Sequence, residues 1–219
     1  MKRNQFLTAI FMLAAVFTSA ALCSSCSESS GDEVEEYADW KTRNDAYFNK
    51  VYSDAQQAIK SGSKEWKIFN TWSVNETVAT TTDHIVVKVL QEGTGSGCPL
   101  FTDVAYVHYI GRLIPSVSYP QGYPFDHSTY TQEMNLASDQ PALFTVGQRI
   151  DGFSTALLHM HIGDYWRVYV PYTLGYKGVA QDGIPAYSTL IFDMYLCSYF
   201  RDSESIIYMK AKENSWFEE

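Results

Sequence analysis

Beyond Thr80 the hydrophobic pattern of this 219-residue chain changes period, and that change decides the fold class. Residues 84–90, HIVVKVL, are rich in β-branched side chains and read as a strand. Gly93, Gly95 and Gly97 break it. Residues 103–110 form a second strand closed by Gly111, residues 165–170 a third closed by Pro171, and residues 189–196 a fourth. A shorter one is expected over 143–146, before Gly147. Only 154–161 reads as a helix here, with Ala156, Leu157 and Met160 as its apolar face and Gly163 as its stop. One short helix among several strands implies an α+β domain over 80–200 in which the sheet covers the helix.

Ahead of that point the period is helical. Trp40, Tyr47, Phe48, Val51, Tyr52, Ala55 and Ile59 recur at steps of three and four, so 37–59 is expected as one amphipathic helix ended by Ser61-Gly62-Ser63. A second aromatic segment follows with Trp66, Phe69 and Trp72. Residues 37–79 are read together as a helical N-terminal extension. A lone helix does not hold such a stripe in water, so it is expected to dock on the C-terminal domain or on another copy of the chain, as a homodimer.

The ends carry a different signal. Lys2 and Arg3 precede a run from Phe6 to Leu22 that is nearly all apolar or small, and Ser24-Ser25 precede Cys26. Residues 1–25 therefore read as an export signal, and the pattern resembles a bacterial lipoprotein signal. That resemblance implies lipid on Cys26, with SESSGDEVEE as an acidic tether over 26–36 and a location in the cell envelope, at the outer membrane. Residues 201–219 form a C-terminal tail. With 16 basic and 25 acidic side chains, the chain lacks the basic footprint that nucleic acid requires. Cys98 and Cys197 admit two readings: a staple across the sheet in an oxidising compartment, or two unpaired small hydrophobes. Neither the cysteine spacing nor the five histidines form a metal motif, and no phosphate loop is present, so no metal or cofactor is expected.

Several short motifs then stand in order: VHYIGRL, Phe125-Asp126, Val146-Gly147, Ile150-Asp151-Gly152-Phe153, GDYWRVYVPYTLGY and IPAYSTLIFD. Each is weak alone. As an ordered set over about 83–200 they resemble the FKBP-type peptidyl-prolyl cis-trans isomerases. The resemblance implies a cleft that binds a prolyl ring and the amide before it. On it, Tyr109, Phe125, Phe153, Ile184 and Phe192 are expected as apolar walls and floor, and Asp126 as a carboxylate reaching into the cleft. Ile150 would offer its backbone N–H, and Tyr176 its hydroxyl, to carbonyls of a proline-containing polypeptide. The chain departs from the family pattern at Phe153, where tryptophan is usual, at Ala142, where many members carry an aromatic, and in the longer, aromatic segment 114–124.

The chemistry needs such residues because the amide C–N bond is partly double, with a rotation barrier of roughly 20 kcal/mol. Rotation needs no nucleophile, only a site that prefers the twisted amide to either planar form. The first reading is thus an isomerase assisting exported proteins. The alternative is a peptide-binding or chaperone module that uses the same cleft without catalysis.

Overall fold

The computed structural model describes residues 35–201, so the expected signal, Cys26, most of the tether and residues 202–219 of the tail lie outside it. A long helix, α1 (Trp40–Lys60), leads into seven antiparallel strands: β1 (Trp66–Asn70), β2 (His84–Gln91), β3 (Val104–Arg112), β4 (Pro124–His127), β5 (Ala142–Thr145), β6 (Tyr165–Val170) and β7 (Leu190–Phe200). A short helix, α2 (Asp151–Leu157), lies between β5 and β6. The strand order is β1-β2-β6-β7-β3-β4, with β5 also pairing to β3. One edge of β3 is thereby shared: β5 takes Val104 to Val107, and β4 takes Ile110 to Arg112.

The α+β expectation agrees with this architecture, and β2 and β6 fall where their β-branched and alternating patterns place them. Three boundaries differ. The segment 66–70 is a strand, not part of a helical extension. Trp66 and Ile68 pack toward α1, while Phe69 turns the other way and stacks on Trp166, which is strand alternation. Because β1 pairs with β2 along its length, no domain boundary falls at 79/80. The short helix runs over Asp151–Leu157, earlier than expected. Ile150 is its extended N-terminal flank, and His159 and Met160 already close tight turns onto Ala156 and Leu157. Finally, β4 begins with a proline and is too short for its own periodicity to register.

The main core lies between the sheet and α2, with Ile85, Val87, Val107, Trp166, Val168 and Met194 meeting Phe153, Ala156 and Leu157. On the opposite face α1 packs its stripe in cis, through Phe48, Ala55 and Val86 with Tyr52, Trp66 and Tyr169 around them. Its first turn is tied down by polar groups. Trp40 Nε1 donates to Ser188 Oγ at 2.8 Å, and fully buried Asn44 accepts from the Thr189 amide at 2.7 Å while donating to the Trp40 carbonyl at 2.7 Å. Most polar groups taken out of water are paired in this way.

Among the described residues Cys98 and Cys197 are both free thiols, so the staple reading gives way to the other one. Cys98 Sγ lies 3.8 Å from His161 Nε2, and burial pushes the Cys197 thiol up to about 11. Cys197 stays neutral and packs as a small hydrophobe.

Candidate functional site

Four elements bring the expected residues together. Strand alternation turns Val107 and Tyr109 of β3 toward α2 and sends His108 to the other face. Phe125 and Asp126 lie on β4, Phe153 on the buried side of α2, and Phe192 on β7. Phe153 is the hub. Its ring centroid is 5.9 Å from Tyr109, 5.4 Å from Phe144 and 5.2 Å from Phe192, each pair nearly perpendicular. Phe192 continues edge-to-face onto Phe125 at 5.7 Å. Such pairs contribute about 0.5–1.5 kcal/mol each beyond area burial, so the rings hold one another's orientation.

Gly111 makes room for two of these rings. A methyl group there would lie 2.6 Å from Phe125 ring atoms and 2.9 Å from Phe192. Any side chain on β3 at this point would displace both walls.

The polar groups sit on the rim. Tyr109 is nearly buried, yet its hydroxyl donates to Asp126 Oδ2 at 2.7 Å, which fixes the exposed carboxylate beside the rings. Burial first, and then this carboxylate, hold the Tyr109 hydroxyl well above the ordinary tyrosine value. Tyr176 is 36% exposed, and its hydroxyl is also raised, by burial and then by Asp126, against the opposing charge of Arg149. Both phenols therefore remain hydrogen-bond donors through neutral pH. Ile150 is half-buried against the core. Its carbonyl accepts from the Ser154 amide, while its own N–H bonds to no described residue. Ser154 Oγ donates to the Val146 carbonyl at 2.6 Å and pins the start of α2 below this amide. Ile184, on the segment before β7, is buried in the same core cluster.

Two neighbours escape the sequence reading. Phe144 touches both Tyr109 and Phe153, and Arg149 lies 5.0 Å over the Phe144 ring. The strand expected over 143–146 includes Phe144, but only the pairing of β5 with Ala105 and Val107, on the same strand as Tyr109, brings its ring to the site. Nothing in the sequence marks Arg149 except its place beside Ile150. Ala142, the other departure, sits in β5 opposite Val107 and contributes no ring.

Comparison with known proteins follows this geometry. Residues 99–197 match the family model described as FKBP-type peptidyl-prolyl cis-trans isomerase. The FKBP-type 22 kDa peptidyl-prolyl cis-trans isomerase of Escherichia coli (strain K12) is 34% identical over 122 residues, 55% of this chain and 52% of the relative. The chain thus spans about half the length of that relative. Mouse (Mus musculus) peptidyl-prolyl cis-trans isomerase FKBP2 is 34% identical over 113 residues, 49% of this chain and 71% of the relative. The crystal structure of FkpA from Escherichia coli superposes with a TM-score of 0.51 at 21% identity, covering 91% of this chain and 73% of that one, and shares the fold. With the ordered motifs, the sheet wrapped on one short helix and this coverage of a curated relative, the chain belongs to the FKBP-type peptidyl-prolyl cis-trans isomerase family.

Proposed function

We propose that the chain is a peptidyl-prolyl cis-trans isomerase acting on proline-containing segments of exported polypeptides. The observation that carries this reading is the nest of perpendicular rings around Phe153, with polar donors only on its rim. A planar amide owes part of its polarity to resonance, which water stabilises. Twisting the C–N bond removes that resonance, so an apolar enclosure disfavours the planar forms relative to the twisted one. In this reading Tyr109, Phe125, Phe153, Ile184 and Phe192 hold the prolyl ring. The Ile150 amide and the Tyr176 hydroxyl hold flanking carbonyls, so that the bond turns between fixed ends. Asp126, held by Tyr109, orients groups at the edge and takes no proton.

The test is isomerisation of a short proline peptide by the full-length chain. Turnover above the uncatalysed rate is expected. Tyr176→Phe should lower kcat/KM about two- to tenfold, the worth of one net hydrogen bond, and Asp126→Ala should lower it by freeing the Tyr109 hydroxyl. A rate equal to the uncatalysed one overturns the enzyme reading in favour of a peptide-binding or chaperone module.

An envelope location, with lipid on Cys26, is part of the same proposal and is supported by the basic, apolar and small-residue pattern of 2–26. Metabolic labelling with a radioactive fatty acid should mark the wild-type chain and not Cys26→Ala. Equal labelling of the two would remove Cys26 as the anchor.

A further inference from the structure

Strand register gathers a second group of side chains on the sheet face opposite the ring nest. Arg167 of β6 stands across from Asp193 of β7, and Ile191 stands between Tyr169 of β6 and Arg112 of β3. Their neighbours Val168, Phe192 and Gly111 turn the other way, toward the rings. Tyr47 of α1 closes one side of this group, and Pro115, Pro120 and Gln121 of segment 114–124 close the other. The result is a recessed pocket of about 290 Å³.

The long segment is held as a wall. The Leu113 amide donates to the Tyr123 carbonyl at 2.9 Å across its base, and the Ser116 amide donates to the Tyr119 carbonyl at 3.0 Å within it. Glu36 Oε2 accepts from Ser118 Oγ at 2.6 Å, a cross-tie to the chain ahead of α1.

The pocket is rich in donors. Asp193, its side chain 8% exposed, accepts from Arg167 Nε at 2.6 Å and Nη2 at 2.8 Å, while the arginine side chain is 42% exposed. These bonds use one edge of a planar group with five donors and set its plane, so its other donors keep a fixed direction. Arg112 spends Nη2 on the Gln132 carbonyl at 2.6 Å and has no carboxylate partner among the described residues. Burial raises the Tyr47 hydroxyl to about 12 and raises that of Tyr169 against the nearby Arg167, so both phenols keep their protons at neutral pH. Two arginines and one aspartate line the pocket, and the aspartate is already engaged. One positive charge is left unbalanced, in a chain whose acidic side chains outnumber its basic ones by 25 to 16.

We propose that this pocket binds an organic carboxylate, with the anion on Arg112 and the open edge of Arg167 and an apolar body among Pro115, Pro120, Ile191 and the Tyr47 ring. Guanidinium groups hold carboxylates through paired, charge-assisted hydrogen bonds. The volume is at the small end for a ligand site, so the ligand has about the bulk of one amino-acid residue. A free aromatic acid and the last residue of a polypeptide both present this chemistry. The site lies across the sheet from the ring nest and does not depend on the isomerase reading.

The experiment titrates the isotopically labelled full-length chain with N-acetylphenylalanine and with its neutral amide, followed by NMR. The acid should shift the amides of Arg112, Gln121 and Asp193 and saturate, and the neutral amide should bind there at least tenfold more weakly. Arg112→Gln should lose about tenfold in affinity for the acid, the worth of one charge-assisted hydrogen bond. Gln121→Trp, which fills the pocket from an exposed position, should lose at least as much. Spectra unchanged away from the pocket certify that each variant is folded. A peptide of three alanines ending in phenylalanine separates the sources: tighter binding than the free acid assigns a polypeptide terminus, and equal binding assigns the small acid. Equal affinity for acid and amide, shifts confined to Tyr109, Phe125 and Tyr176, or wild-type affinity in both variants overturns the site.

Discussion

The two faces of the sheet are covered by helices of opposite character. On one side α2 is seven residues long, and six of them, Gly152 to Leu157, are buried. On the other, α1 is 21 residues long and buries four: Trp40, Asn44, Phe48 and Ala55. An isolated helix needs about 12–15 residues to be even marginal in water, so α2 exists only because the sheet encloses it. The long helix has the residues to propagate but a thin apolar contact, and a buried asparagine and an indole N–H fasten its first turn. Length and attachment are thus uncoupled: the small helix carries the ring nest because burial immobilises it.

The sharpest way to break this comparison is to truncate a ring on each face. Phe153→Ala should cost about 3–5 kcal/mol of stability and abolish turnover, since Tyr109, Phe144 and Phe192 all lose their common contact. Phe48→Ala, in the smaller cluster, should fall at the low end, about 3 kcal/mol, and leave turnover in the folded fraction. Urea unfolding with a parallel peptide assay measures both, and equal losses of activity would erase the distinction. Next in size, Asn44→Ala should cost about 1–3 kcal/mol by stranding the buried Thr189 amide, read as a shift of the urea midpoint.

A pH titration sharpens the picture of the outer face where no helix covers it. His108 is buried there, its Nδ1 has no hydrogen-bond partner among the described residues, and burial lowers its pKa against the opposing pull of Asp139. As pH falls, the unfolded chain takes the proton first, so this contribution is complete above about 6.5 and declines below it, until the folded histidine is protonated. The thermal midpoint should therefore fall between pH 7.5 and pH 5, and His108→Gln should flatten that stretch of the curve. The smallest effect is on the exposed side of α1, where Lys50→Ala removes a 2.6 Å pair to Asp54. With side chains 74% and 53% exposed, the change should stay within about 0.5 kcal/mol by urea unfolding, below the Asn44 loss.

What the sequence disclosed follows the same division. Strands β2 and β6 were legible because their own side chains alternate or branch, and Tyr109, Phe125, Phe153 and Phe192 because they sit inside ordered motifs. Trp66 and Phe69 misled because two aromatics three apart fit a helix, and only the pairing of Trp66 with Lys88 on β2 makes them a strand. Phe144 and Arg149 stayed hidden because their importance is a matter of which rings they meet across the fold. The cross-tie from Glu36 to Ser118 joins residues 82 positions apart, which no local pattern records.

The emptiness at position 111 has a consequence for any attempt to diversify this protein. Two aromatic rings occupy the volume a side chain there would claim, so their packing depends on the one that is missing. A library randomised at that codon and screened for prolyl-peptide turnover should return a single letter, with even alanine lost.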